Sequence, residues 1–306
     1  MVEELEWLDA DLAKQRQLPQ EERIEIINGE HWIGYSKAQQ GVAKMDELIH
    51  LPKRLRMPNL LILSPTNNGK TMLVKKFMRN YPPQEAEGMQ AFPGLYKRVP
   101  VLYLQMPSSP NLMRFYALIL QTLNYQVPSV TRLAELEILA LKVFSQLEIK
   151  MLVIDELHNI LAGSASSQRE FLNLLRFLGN KLQIPIVALG TKDAYLAIRS
   201  DDQLENRFEP FILPKWQYDQ EYLSLLSSFS QIFPIKLAID LTEPALARKI
   251  LEMCDGKIGE ISTLVKKAVI WAIRHQGEYL NTAVFDKVDY QSPAARRQKI
   301  ERELNN

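Results

Sequence analysis

Residues 64–71 read Ser64-Pro65-Thr66-Asn67-Asn68-Gly69-Lys70-Thr71, set between the apolar run LLIL and the amphipathic segment MLVKKF. A glycine, a lysine and a hydroxyl residue in succession, where a strand turns into a helix, make a phosphate-binding loop. Its backbone N–H groups and the helix N-terminus form an anion nest, Lys70 reaches the β- and γ-phosphates, and the Thr71 hydroxyl ligates Mg²⁺. Ser64 stands where the usual pattern opens with glycine. The reading therefore rests on the flanking strand and helix as much as on the motif.

A second constellation follows 85 residues after Lys70, where MLVIDEL places Asp155 and Glu156 at the end of an apolar run. Ligands of a parallel sheet bind at the carboxyl ends of its strands. Asp155 there would hold the Mg²⁺ shell, and Glu156 would polarise an attacking water as general base. Further on, IVALGT ends another apolar run with Thr191, placed to orient the water or sense the γ-phosphate, although threonine is also ordinary turn chemistry at a strand end. Arg207, in ENRFEPF, either pairs with Glu205 or Glu209 or projects to a neighbour's nucleotide as a finger. His158 reads as a helix-start or loop histidine contacting backbone, and the four histidines have no metal-ligand spacing. The LLRFL face reads as core or protomer interface, and Lys53 to Arg56 as a solvated stripe or a phosphate contact.

These residues need a sheet to hold them. Short apolar runs at 59–63, 101–106, 151–154, 186–189 and 210–213 alternate with amphipathic segments, the pattern of a mainly parallel α/β sheet. Residues 81–98 read as a long loop. After Pro214 strand signals stop and helical ones continue, with Thr242 expected to cap the segment EPALARKILEMC. The expected division is an acidic extension at 1–30, an α/β nucleotide-binding core at 31–214, a helical lid at 215–290 and a basic tail at 291–306. The extension carries a net charge of −6 within a chain of 306 residues and +1 overall, so global charge selects no partner. A single cysteine, Cys254, at helical spacing in KILEMC, reads as a small buried hydrophobe. With no apolar run long enough to span a bilayer and no leader pattern, the chain is expected to be cytoplasmic.

The whole pattern resembles the AAA+ ATPases and, within them, the TniB family of transposition proteins, relatives of TnsC and MuB. The likeness is carried by HWIGYSKA, RMPNLLILSPTNNGKTMLVKKF, LQMPSSP with RFY, MLVIDELHNILAG, REFLNLLRFLGN, IPIVALGTKDAYLAIRSDDQLENRFEPFILP and GKIGEIS. It implies an α/β fold with strand order 5-1-4-3-2 and a helical lid. Ile33 and Gly34 match the segment that contacts adenine, Lys70 and Thr71 the Walker A ends, Asp155 and Glu156 Walker B, Thr191 sensor 1, and Arg207 the arginine finger. The implied function is ATP- and Mg²⁺-dependent assembly on double-stranded DNA, as a ring or helical filament, to mark a target for a TniA-like DDE transposase, with a TniQ-like adaptor as a further partner. Arg114, Thr131 and Arg132 match segments that line the DNA axis in such relatives. One departure stands out: Gly259 occupies the place of the sensor 2 arginine, which leaves Lys257 or Lys266 as candidates to read lid closure. The rival readings are a non-DNA, ATP-gated oligomeric switch and a helicase loader similar to DnaC.

Overall fold

The computed structural model describes residues 12–85, 96–127, 132–235, 240–275 and 280–304. They form two compact units. One is an α/β unit of residues 37–66 and 70–214. The other is helical and takes in the described residues up to Ser36, the three loop residues Asn67–Gly69, and those from Lys215 onward.

Five parallel strands make the sheet of the α/β unit: β1 (Asn59–Leu63), β4 (Val101–Gln105), β5 (Met151–Asp155), β6 (Ile186–Gly190) and β7 (Phe208–Ile212). Their order is β4-β5-β6-β1-β7, which is the 5-1-4-3-2 order implied by the resemblance. Contiguous apolar runs become strands buried on both faces, and every residue of β5 and β6 is buried. The buried Asn59 is an exception with a purpose: its Oδ1 accepts the Ile186 N–H at 2.9 Å and ties the start of β1 to that of β6. At the far edge, β7 begins at Phe208, two residues before the expected start. The exposed Glu209 breaks the apolar run there, and Pro210 is tolerated because an edge strand has a side with no ladder to complete.

Helices flank this sheet: α2 (Ser36–His50), α3 (Lys70–Met78), α4 (Leu112–Thr122), α5 (Leu133–Gln146), α6 (Ala165–Leu182), α7 (Lys192–Arg199) and α8 (Asp202–Glu205). The predicted loop at 81–98 is in part an antiparallel pairing of β2 (Gln84–Glu85) with β3 (Tyr96–Arg98). In the helical unit, α1 (Gln20–Asn28) buries Ile24 and Ile27 against α9 (Gln220–Ile232), α10 (Pro244–Cys254), α11 (Ile258–Arg274) and α12 (Thr282–Lys287). The cap of α10 is Glu243, not Thr242. Its carboxylate accepts the N–H groups of Ala245 and Leu246 at 3.1 and 2.8 Å, while Thr242 bonds Asp240. Cys254 is buried in this core, and burial pushes its thiol up to about 12. The basic end of the chain forms α13 (Pro293–Leu304). No described helix is long and apolar enough to cross a membrane.

Candidate active site

Parallel pairing brings three strand ends to one edge of the sheet. Leu63 lies opposite Gly190, and the Ser64 N–H donates to the Gly190 carbonyl at 3.2 Å, so the phosphate loop leaves β1 directly beside Thr191. Asp155 ends the next strand over. Thr191 is the N-cap residue of α7, and its side chain makes no capping bond.

Lys70 is buried at the first position of α3, where its ammonium donates to the Ser64 carbonyl at 3.1 Å, Ser64 Oγ at 3.2 Å and the Pro65 carbonyl at 3.1 Å. Burial lowers its pKa, and the charges of Glu156 and Asp155 work in the opposite direction. A buried cation held only by neutral oxygens is matched to an anion. One residue on, Thr71 Oγ1 donates to Asp155 Oδ2 at 2.8 Å, which joins the two halves of the expected constellation.

Asp155 itself is almost completely buried, and every approach to its carboxylate is a donor. Tyr103, from β4, donates its hydroxyl to Oδ2 at 2.8 Å, and the Glu156 N–H donates to Oδ1 at 2.7 Å. Burial first, then the bond and charge of Asp155, push the Tyr103 phenol well above its ordinary range, so it remains a donor. Among the described residues no three acidic, histidine or cysteine side chains gather as a metal cage. One carboxylate and one hydroxyl beside an anion nest instead suit Mg²⁺, which keeps most of its waters and takes its remaining ligands from phosphate.

Glu156 adopts the left-handed conformation at φ 56° and ψ 37°, an uncommon geometry for a side chain of this size. Its Oε2 lies 3.1 Å from His158 Nε2. His158 thus contacts the neighbouring carboxylate, where its sequence position suggests a contact with backbone.

The other candidates are placed as follows. Asn67 and Gly69, at φ 58° and φ 86°, form the left-handed tip of the loop, and Tyr35 Oη comes near Gly69. Ile33 packs against the helical core, beside Gly34 and Tyr35, and the Tyr35 ring meets Trp216 edge-on at 4.9 Å. Arg207 lies elsewhere. Its carbonyl accepts the Asn59 N–H at 2.8 Å, so it sits at the start of β1, at the opposite edge of the sheet from Ser64. The Arg207 guanidinium donates to Asn180 Oδ1 at 2.8 Å, makes no bond to Glu205 or Glu209, and is surrounded by Arg56, Arg176 and Asp201. Arg114 is exposed in the first turn of α4, capped by Asn111, and Arg132 is exposed at the N-cap of α5, where its N–H donates to the Glu135 carboxylate at 3.2 Å. Thr131 lies outside the described residues.

Sequence reasoning misses Tyr103, Arg176 and the partners of the loop tip. Tyr103 carries a faint signal, since it is the one polar-tipped residue within VLYL and stands across the sheet from Val153.

The family model described as "Bacterial TniB protein" matches residues 23–218. No curated protein matches the chain. Among solved structures, it is similar to the Aeropyrum pernix ORC1 protein in complex with DNA, at 14% identity and a TM-score of 0.59, covering 92% of this chain and 70% of that one. It is also similar to Aeropyrum pernix ORC2 in ADPNP-ADP complexes, at 15% identity and 0.59, with 86% and 70% covered. Drosophila ORC bound to DNA matches at 14% and 0.55, with 89% and 64% covered. At these identities the likeness speaks for the fold.

Proposed function

The chain belongs to the TniB family, has the AAA+ fold, and on that premise we propose that it binds and hydrolyses ATP, assembles on double-stranded DNA and delivers a target to a DDE transposase. The observation that carries the ATPase reading is the junction of Lys70, Thr71 and Asp155 at one sheet edge, with Glu156 next in the chain. Backbone N–H groups of residues 66–71 cradle the phosphates, and Lys70 turns from the loop's carbonyls to the β- and γ-oxygens. Bound Mg²⁺ would neutralise charge on the phosphates, held by the Thr71 hydroxyl and, through water, by Asp155. Glu156 takes the proton from the water that attacks the γ-phosphorus, and Thr191 orients that water. Ile33 and Gly34 flank the adenine.

Arg207 serves a neighbour in this reading. The five residues of β1 separate it from the phosphate loop by about 17 Å, more than an arginine side chain spans. The arginine therefore acts on the nucleotide of the next copy, and turnover depends on assembly. In a ring or filament one basic surface per copy, including Arg114 and Arg132, repeats along an axis, so weak phosphate contacts add up despite a net charge of +1. The DNA named for two of the ORC structures supports DNA as a ligand. A TniA-like transposase and a TniQ-like adaptor are the partners the family reading supplies.

The test is to measure ATP binding and phosphate release in Lys70→Ala and Glu156→Gln. The first should lose binding, and the second should bind ATP, hydrolyse it at most marginally and accumulate as assembled protein. Wild-type turnover by Glu156→Gln would remove the general-base assignment. If ATP-loaded wild type binds no duplex at low salt, the transposition reading gives way to the non-DNA switch.

A further inference from the structure

The first turn of a helix has N–H groups with no partner inside the helix. In α11 the residue at the cap position is Lys257, whose side chain makes no capping bond. The partners come from the tip of the phosphate loop instead: the Ile258 N–H donates to Asn68 Oδ1 at 3.2 Å, and the Gly259 N–H donates to the Asn67 carbonyl at 3.0 Å. Asn68 is buried by this arrangement. A Cβ at position 259 would stand 1.9 Å from Asn67 Oδ1 and 2.4 Å from its Cγ. The close approach thus requires glycine at a position where the wider AAA+ pattern, though not the TniB one, has an arginine.

The contact is held from behind. Glu260 is buried, and its carboxylate accepts from Asn67 Nδ2 at 3.1 Å, Tyr290 Oη at 2.8 Å and, with both oxygens, Arg296 Nη2 at 2.9 and 3.0 Å. Burial alone would raise this carboxyl, but the bonds from Tyr290, Asn67 and Arg296 and the charge of Arg296 outweigh it and hold it below the ordinary value. The proposed substitutes for the missing arginine are engaged elsewhere, Lys257 with Asp255 at 3.3 Å and Lys266 with the Gly29 carbonyl at 2.5 Å.

We infer that the phosphate loop is the N-terminal cap of α11, and that Asn67, Asn68, Gly259, Glu260 and Arg296 form a positioning assembly through which this helix senses the nucleotide, in place of an arginine on the phosphate. The inference rests on the ATP-binding reading above. Loop conformation and helix cap are then one equilibrium, and coupling between them is reciprocal. ATP strengthens the first turn of α11, and loosening that turn weakens ATP.

Three measurements test it. Hydrogen exchange of the wild type with and without ATP should show added protection at Ile258, Gly259 and Glu260. ATP titration should give a dissociation constant raised about 5–30-fold in Asn68→Ala and in Arg296→Ala, the effect of losing one cap or one bond to Glu260, and in Arg296→Ala the turnover rate at saturating ATP should be much less affected. Arg296→Lys, which keeps a donor to Glu260, should recover part of the loss. Gly259→Arg, which installs the expected arginine, should weaken ATP binding. Tighter binding by Gly259→Arg would overturn the inference. So would wild-type affinity in both Asn68→Ala and Arg296→Ala, or α11 exchange in the wild type that ATP leaves unchanged. Failure of the wild type to bind ATP at all is a separate result, which removes the function reading and this inference with it.

Discussion

Replacing Tyr103 by phenylalanine deletes one oxygen and leaves the packing of β4 in place. The lost hydroxyl is one of three donors to Asp155, with Thr71 and the Glu156 N–H remaining. A hydrogen bond to a charged group is worth about 1.5–3 kcal/mol, and the two surviving donors place the loss near the lower figure, about 1.5 kcal/mol. For a unit of this size each kcal/mol moves Tm by about 2–4 °C, so scanning calorimetry should show a fall of about 3–6 °C. The functional effect is read on Mg²⁺. Asp155 holds Mg²⁺ through water in the proposed site, and losing outer-shell partners of a metal site typically costs 10–100-fold in affinity, so the Mg²⁺ concentration giving half-maximal ATP binding should rise about tenfold in Tyr103→Phe. The assay is a Mg²⁺ titration of fluorescent-nucleotide binding, read beside the melting curve. A Mg²⁺ curve within twofold of wild type, in a variant whose Tm has fallen, would show that Tyr103 serves the sheet alone and would refute its role in aiming Asp155.

Mixing Arg207→Ala with Glu156→Gln should restore turnover that neither has alone, because one interface in the mixture unites an intact base with an intact arginine; stable mixed oligomers without rescue would exclude a finger acting in trans. Arg114→Ala with Arg132→Ala should weaken duplex binding across sequences and reduce the steepness of its salt dependence by about two charges' worth, with DNA-free ATP binding unchanged; an unaltered salt slope would move the DNA path elsewhere. Glu260, held below its ordinary value of 4.5, contributes stability that is present above that pH and lost as pH falls through its folded pKa. Acid unfolding of Glu260→Gln should accordingly be flatter than that of wild type below about pH 4.5, and coincident acid limbs would contradict the assignment.

What the sequence discloses depends on how local the cause is. The five strands are legible because a strand buried on both faces is a short apolar run, and the phosphate loop because its chemistry is packed into eight consecutive residues. The start of β7 is hidden because an edge strand tolerates Glu209 and Pro210 on its open side. Threonine is a common cap, so the sequence points to Thr242 at α10, yet the next residue's longer carboxylate reaches two N–H groups. Tyr103 and Glu260 stay hidden for a different reason: their loop-side partners Asp155 and Asn67 lie 52 and 193 residues away in the chain, and no periodicity records such a pairing. Gly259 is the instructive case, since the sequence shows only a missing arginine, and the reason for the glycine is the body of Asn67.

On the proposed function, in which Arg207 serves the next copy, its remoteness from its own phosphate loop would make a row of copies asymmetric at its ends. In a closed ring every nucleotide meets an arginine. In an open helical row one end carries an arginine with nothing to act on, and the subunit at the other end holds ATP that no neighbour can help to cleave. That terminal nucleotide would outlast those behind it, so such a row would wear a long-lived ATP cap on one end only and be lost from the other. Direction along the duplex, on the proposed function, would then come from the order in which the subunits of the row fire.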